Sequence, residues 1–297
     1  MGLEKNIVTT VGLDPILLHH FIKHYKSIGV DNFYIVVWGD SKEVKYDEIV
    51  NVLKRYDLEV YEDLRDVNNG SPQFLTDIYN KITSTKPDDW WIVADLDEFA
   101  VFPKPLDKFI YEDLVYNDID FMHGIMLDRI GKNGEFSELK YDDDIWEEIP
   151  NVGFINRFIR DNDVRWCGLL KGKYELSAGQ HTLTHLLMHP DEWKEYIKDN
   201  PPKIQVHNFT WRNYDIQKVK YYMEYWKPIL SWTDSDGNDH IHYPYDEYTK
   251  IDDYLKENEK INISDSRFLI EKCPNDKFDS YLKWEDIIQL PAFSHKE

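Results

Sequence analysis

Over the first hundred residues, apolar side chains recur at two alternating spacings, one suited to strands and one to helices. Ile7-Val8-Thr9-Thr10-Val11-Gly12 is β-branched and ends at a glycine, as a buried strand does. Asp14-Pro15 then offers a helix cap and a first-turn proline. Leu17, Leu18, Phe21, Ile22 and Tyr25 follow at helical spacing, and Gly29 stops the helix. Asn32 to Trp38 predicts a second buried strand, closed by the polar turn Gly39-Asp40-Ser41. Ile49, Leu53 and Tyr56 mark a second amphipathic stretch, and Leu58 to Tyr61 (LEVY) a third strand. Gln73 to Ile82 predicts a third helix, and Trp90 to Ala94 (WWIVA) a fourth strand that runs straight into Asp95.

This βαβαβαβ order with short connections predicts an α/β fold, a mostly parallel sheet with helices on both faces. Ligands bind such sheets at the carboxyl ends of the strands, which is where Asp95 stands. After Phe102-Pro103-Lys104-Pro105 the rhythm changes. Phe121 to Leu127 predicts one more strand, Ile130 to Asp144 a polar loop, and 154–176 short strands. From about Asp191 the pattern turns helical, most clearly over Tyr214 to Tyr225. With no repeat and no low-complexity block, the chain divides into one large domain over 1–225 and a C-terminal helical extension over 226–297 packed on it.

Composition narrows the partners. Hydrophobic residues at 42% and charged residues at 31% allow a sizeable core and exclude wholesale disorder. The net charge of -21, from 56 acidic against 35 basic residues, repels nucleic acid and anionic membrane surfaces. An anionic ligand would therefore need a local cation, and a bound metal is the obvious one. The 20 Tyr and 10 Trp are core-fillers for the most part, although flat rings also suit a sugar-binding cleft. Cys167 and Cys273 are too few for a disulfide framework. With no secretory leader, no transmembrane segment and no lipidation motif, the expected location is cytoplasmic.

The acidic triplet Asp95-Leu96-Asp97 sets two carboxylates at the end of a buried strand. Hard divalent cations such as Mg²⁺ or Mn²⁺ take oxygen ligands and share themselves with substrate phosphates. A metal held there against a diphosphate would neutralise a departing leaving group. Two solvated loop carboxylates are the plainer alternative, because so acidic a chain produces this spacing by chance. Asp128 closes the strand after the motif, where a base taking a proton from an acceptor hydroxyl would stand, or where it would pair with a nearby Arg. Glu175 and Glu147 are weaker choices, and a transfer retaining configuration needs no such base. Lys171 and Arg212 are candidate donors to phosphate oxygens, or ordinary surface ion pairs.

The run LHHFIKHYKSIGVDNFYIV resembles the opening of family 2-like and family 92-like glycosyltransferases of the GT-A fold. The likeness continues, in order, through Gln73, Tyr79-Asn80, DWWIVADLDEF, Gly124 to Arg129 with Asn133-Gly134, and Ile145 to Pro150. It extends through Lys171-Gly172, Leu176 to His181 and Val206 to Arg212, so that it spans roughly residues 5 to 225. The family's late segment often carries two adjacent histidines, whereas this chain has Val206-His207. The resemblance implies a GT-A Rossmann-like catalytic domain, a nucleotide-diphospho-sugar donor, a glycan-type acceptor and a divalent metal. It also implies a histidine completing the metal shell beside Asp95 and Asp97, with His207 first and His181 second; a hydrogen-bonded structural residue is the alternative for either. Thr10, Val11 and Gly12 would then meet the nucleotide base and Asp40 the base or ribose, with Gln73 also on the nucleotide side. Ordinary turn chemistry is the alternative for Thr10, Val11, Gly12 and Asp40 alike.

Two other readings stay open. A metal-dependent nucleotidyltransferase or phosphohydrolase also gathers carboxylates at strand ends, and a carbohydrate- or nucleotide-binding protein could use a non-catalytic form of the same fold. No GxGxxG or GxxxxGK[ST] stretch is present, which disfavours dinucleotide and P-loop sites.

Overall fold

The computed structural model describes residues 4–67, 72–136, 138–155, 168–177, 179–180, 183–184, 203–212, 231–233, 239–241, 245–265, 267–268 and 271–272. The helix-like stretch 214–225, both cysteines and His181 lie outside the described residues.

The chain begins β1 (Lys5–Val11), α1 (Pro15–Ser27), β2 (Asn32–Gly39), α2 (Tyr46–Arg55), β3 (Glu62–Arg65), α3 (Pro72–Thr83) and β4 (Trp90–Val93). β1 to β4 lie in the order β3-β2-β1-β4, all parallel; beyond β4 the short β9 (Leu169–Lys171) pairs antiparallel with β4, and β6 (Phe121–Met122) antiparallel with β9. This is the mixed α/β architecture that the spacing predicts, a mostly parallel sheet flanked by helices.

Side-chain alternation builds the layers. Val11, Ile35 and Val37 pack with Leu18 and Ile22 of α1 and with Ile49, Val52 and Leu53 of α2 on one face. Val8, Val36, Trp91 and Val93 point the other way, onto Ile78, Tyr79 and Ile82 of α3. Asp14 caps α1 by accepting the Leu17 amide at 2.8 Å, as the Asp-Pro signal implies.

A second sheet comprises β5 (Glu98–Val101), β7 (Gly124–Ile130), β8 (Asn151–Gly153), β10 (Ile204–Asn208) and β13 (Glu271–Lys272), in the order β13-β8-β7-β10-β5, while β11 (Ser231–Thr233) and β12 (Asp239–Ile241) pair with each other antiparallel. β10 is parallel to β7 and antiparallel to β5. Every residue of β7 and β10 is buried.

Two predicted strands are corrected. The third strand is not LEVY but the following Glu62–Arg65. The Tyr61 amide bonds Ile35 at 2.9 Å and the ladder then runs from Val36↔Glu62 to Gly39↔Arg65. Leu58 and Val60 instead cover the cluster beneath α1 and α2. An edge strand tolerates polar residues because one side is solvated, so the apolar run and the hydrogen-bonded run separate. The single strand expected over Phe121 to Leu127 is two strands, β6 in the first sheet and β7 in the second, with the change at His123. Phe121 and Met122 are partly buried in the first sheet and Gly124–Ile130 wholly buried in the second, and the crossing is marked only by the buried His123, which does not interrupt the apolar run.

Of segment 226–297, a helix at Tyr245–Asn258 places Ile251 and Tyr254 against Ile130, Ile155, Trp211 and Phe268. The same segment supplies β13, which pairs antiparallel with β8. Gly134, with φ at +80°, bonds the Ile261 amide at 3.0 Å, and a Cβ there would fall 1.7 Å from the Ile261 carbonyl oxygen.

Candidate functional site

The strand order reverses direction at β1, with β2 on one side and β4 on the other, so the carboxyl ends of β1 and β4 border the crevice where such sheets bind ligands. Asp95-Leu96-Asp97 is the turn leading from β4 in the first sheet to β5 in the second. The Glu98 amide closes the turn on the Asp95 carbonyl at 2.9 Å. In return the Asp95 amide donates to Oε2 of the buried Glu98 at 3.1 Å. Both aspartates are half-buried. Oδ1 of Asp95 accepts from the Gln180 carboxamide, and Oδ2 of Asp97 accepts from the Thr210 hydroxyl at 2.6 Å. The Phe209 amide donates to the Asp97 carbonyl at 2.8 Å, so the chain leaving β10 is fastened to the motif.

Helix α3 carries the opposite wall. Thr76, Tyr79, Asn80 and Thr83 recur at helical spacing on its sheet-facing side, polar where an apolar stripe is usual. The wholly buried Tyr79 donates to Thr10 Oγ1 at 3.1 Å. Burial drives the Tyr79 phenol far up in pKa and the nearby Asp95 and Glu98 charges add to it, so it stays a neutral donor. Asn80 grips Leu176 from both sides, donating to its carbonyl at 3.0 Å and accepting its amide at 2.8 Å. The Thr76 hydroxyl accepts the Gly179 amide at 3.1 Å. Thus α3 suspends the 176–180 segment that brings Gln180 to Asp95.

The remaining candidates divide. Gly12 follows β1 at a close approach: a Cβ there would lie 2.5 Å from the Trp38 carbonyl oxygen, a physical reason for glycine. Val11 is buried in the cluster beneath α1 and α2. Asp40 is exposed past β2, its carboxylate accepting the Lys42 amide at 2.9 Å in ordinary turn fashion. Gln73 is exposed on the first turn of α3 and donates to Asp77 at 2.6 Å. Arg212 lies near the end of β1, paired with Asp14 at 2.6 Å and donating to the Phe209 carbonyl at 2.7 Å. Glu175 and Glu147 are both exposed.

Three candidates lie elsewhere than the sequence places them. Lys171 pairs with Trp90 in the ladder, at the amino end of β4, five residues or roughly 16 Å of strand from Asp95. There it forms an ion pair with Asp120 at 2.6 Å. Asp128 is 2% exposed and accepts from the Trp211 indole at 3.0 Å, so its carboxylate faces the core rather than an open cleft. His207 is wholly buried and opposite Phe99 in the ladder, whereas Asn208 opposes Glu98. Paired residues share a face and neighbours alternate, so His207 points away from Glu98. Its ring meets Trp146 edge-on with centroids 5.4 Å apart. Burial first, then the Arg129 and His24 charges, hold its pKa well below the usual histidine value. These are the surroundings of a core histidine.

Sequence reasoning passed over Glu98, Thr210 and His123, and gave Gln180 no role. The signal for the α3 group was available, as polar residues at i, i+3, i+4 and i+7 on a buried helix face. His123, between β6 and β7, borders a small recess with Val93, Leu169, Leu176 and Gln180. Burial pushes its pKa down to about 4.

Among the described residues no three or more His, Cys, Asp and Glu side chains surround a common point. Asp95 and Asp97 therefore make a two-carboxylate arrangement met by neutral donors. That fits Mg²⁺ or Mn²⁺ arriving with a phosphate ligand, which uses one or two protein carboxylates and completes its shell from phosphate and water. It does not resemble a dedicated all-protein metal cage. Among the described residues no helix is long and apolar enough to cross a membrane.

No known protein family and no curated protein matches this sequence. Among solved structures the chain is similar to 4-diphosphocytidyl-2C-methyl-D-erythritol synthase, with 10% identity and a TM-score of 0.34, covering 75% of this chain and 98% of that one. So slight a likeness bears no weight on function.

Proposed function

We propose that this chain is a metal-dependent glycosyltransferase that moves a sugar from a nucleotide-diphospho-sugar donor to a hydroxyl acceptor of glycan type. One observation carries the reading. The Asp95 and Asp97 carboxylates share one half-buried turn at the point of strand reversal, each met by a neutral side-chain donor. A divalent cation bound with the diphosphate supplies charge neutralisation at the leaving group. Asp95 and Asp97 hold it, Thr10 and Gly12 border the nucleotide at the end of β1, and Arg212 stands beside Asp14 to stiffen that edge. With Asp128 turned to Trp211 and Lys171 at the far end of β4, neither is given a part in this scheme.

The test is calorimetric titration of UDP and GDP with Mn²⁺ or with EDTA, on the wild type and on Asp97→Ala. Binding that needs metal and vanishes in Asp97→Ala is the expected result. Absence of nucleotide binding with metal present overturns the reading. Metal-dependent binding without sugar transfer from any nucleotide-sugar assigns the chain to the binding-protein class, and pyrophosphate release from a nucleoside triphosphate to the nucleotidyltransferases.

A further inference from the structure

We propose that Gln180 is a positioning residue that orients Asp95 toward the cation, and that α3 delivers it there. The inference rests on the two-carboxylate cation reading above and extends it to a residue outside the acidic turn.

Gln180 is 7% exposed and has a left-handed backbone, φ +56°, directly after Gly179 at φ +83°. A non-glycine residue in that region is strained and persists only where its surroundings over-determine it. Those surroundings are present. The Gln180 amide bonds the Ser177 carbonyl at 2.9 Å, Thr76 takes the Gly179 amide at 3.1 Å, and Asn80 clamps Leu176 with bonds of 3.0 and 2.8 Å. A bridge from Leu176 to Leu183 and a 2.8 Å bond from the Thr184 amide to the Glu175 carbonyl close the segment on itself.

The product of this anchoring is one carboxamide directed at Oδ1 of Asp95. A donor on one oxygen fixes the rotation of the carboxylate plane. Because the carboxamide is neutral it leaves the negative charge in place, whereas a lysine would cancel it and repel a cation. Glu98 secures the backbone of the same aspartate by accepting its amide. Asp95 is therefore held at the main chain and at the side chain by different elements, as ligand-orienting partners hold a metal ligand.

The test follows free Mn²⁺ by electron paramagnetic resonance during titration of the full chain with UDP present. Gln180→Met keeps the length of the side chain and removes the donor. It is expected to weaken Mn²⁺ binding about 10- to 100-fold, with near-ultraviolet circular dichroism unchanged. Should that variant fail to fold, Thr76→Val carries the test. It frees the Gly179 amide while leaving the Gln180 side chain intact, and a smaller loss of Mn²⁺ affinity is expected. Wild-type Mn²⁺ affinity in the folded variant overturns the role of Gln180, provided Asp97→Ala has lost the metal. Equal free Mn²⁺ for wild type and Asp97→Ala overturns the cation reading itself, and this proposal with it.

Discussion

The two sheets that meet at the acidic turn are built in opposite ways. Strands β1 to β4 of the first come from one stretch of about ninety residues, joined by helices that cover its faces. The second gathers strands from residues 98 to 272, and its central pair, β7 and β10, is separated by some seventy residues of chain. The parallel part of the first sheet is therefore a product of local pattern, and the second sheet of closure over long loops, which a window of sequence does not reveal. The aspartates lie on the seam, with the backbone of Asp95 following a strand of the first sheet and the backbone of Asp97 bonded to the chain leaving the second. A catalytic or binding site on such a seam depends on both being formed.

The largest effect that would break this comparison comes from the first sheet. Trp91 is wholly buried between β4 and α3, and Trp91→Ala is expected to cost about 3–5 kcal/mol by urea denaturation. If the sheets form one cooperative unit, probes in both unfold at the same midpoint in this variant; separate midpoints would show that the second sheet stands alone. Removing a seam tie is the next step down. Asn80→Ala leaves the buried Leu176 amide and carbonyl without their clamp and is expected to cost about 1–3 kcal/mol. It should also weaken Mn²⁺ binding, which Trp91→Ala at a permissive temperature should not.

A pH effect sharpens the comparison at the crossover between the sheets. His123 has a folded pKa of about 4 against an ordinary 6.5, so the folded state binds fewer protons. Its contribution is complete above pH 6.5, declines as the pH falls, and is fully lost below about 4. That amounts to about 2 kcal/mol by pH 5. His207, pushed down by burial in the second sheet, acts with the same sign. The fall in urea midpoint between pH 7 and pH 5 should accordingly be smaller in His123→Phe than in the wild type; an identical fall would remove His123 from the account. The smallest effect belongs to the edge. Asp63 and Arg65 pair at 2.7 Å on β3 and both are partly exposed, so Asp63→Asn should shift stability by no more than about 1 kcal/mol.

Legibility followed the same division. The helices α1 to α3, the buried strands β1, β2 and β4, and the position of Asp95 at a strand end were all present in the spacing of apolar residues, because each depends on near neighbours. The LEVY run misled because apolarity reports burial, and Leu58 and Val60 are covered by α1 and α2 packing without being the paired strand. The Phe121 to Leu127 run misled because two sheets bury it in succession.

For the site, the sequence alone determined that two carboxylates follow a buried strand and that the chain carries a net charge of -21. The tertiary structure decided what surrounds them. His207 and Lys171 have suitable chemistry, but one is turned into the core and the other stands at the wrong end of the strand. Gln180 and Thr210, ordinary in the sequence, reach Asp95 and Asp97 from 85 and 113 residues away. A residue's chemical type is written in the chain, but the direction in which a side chain points is fixed only when strands pair and alternate, and that pairing is long-range.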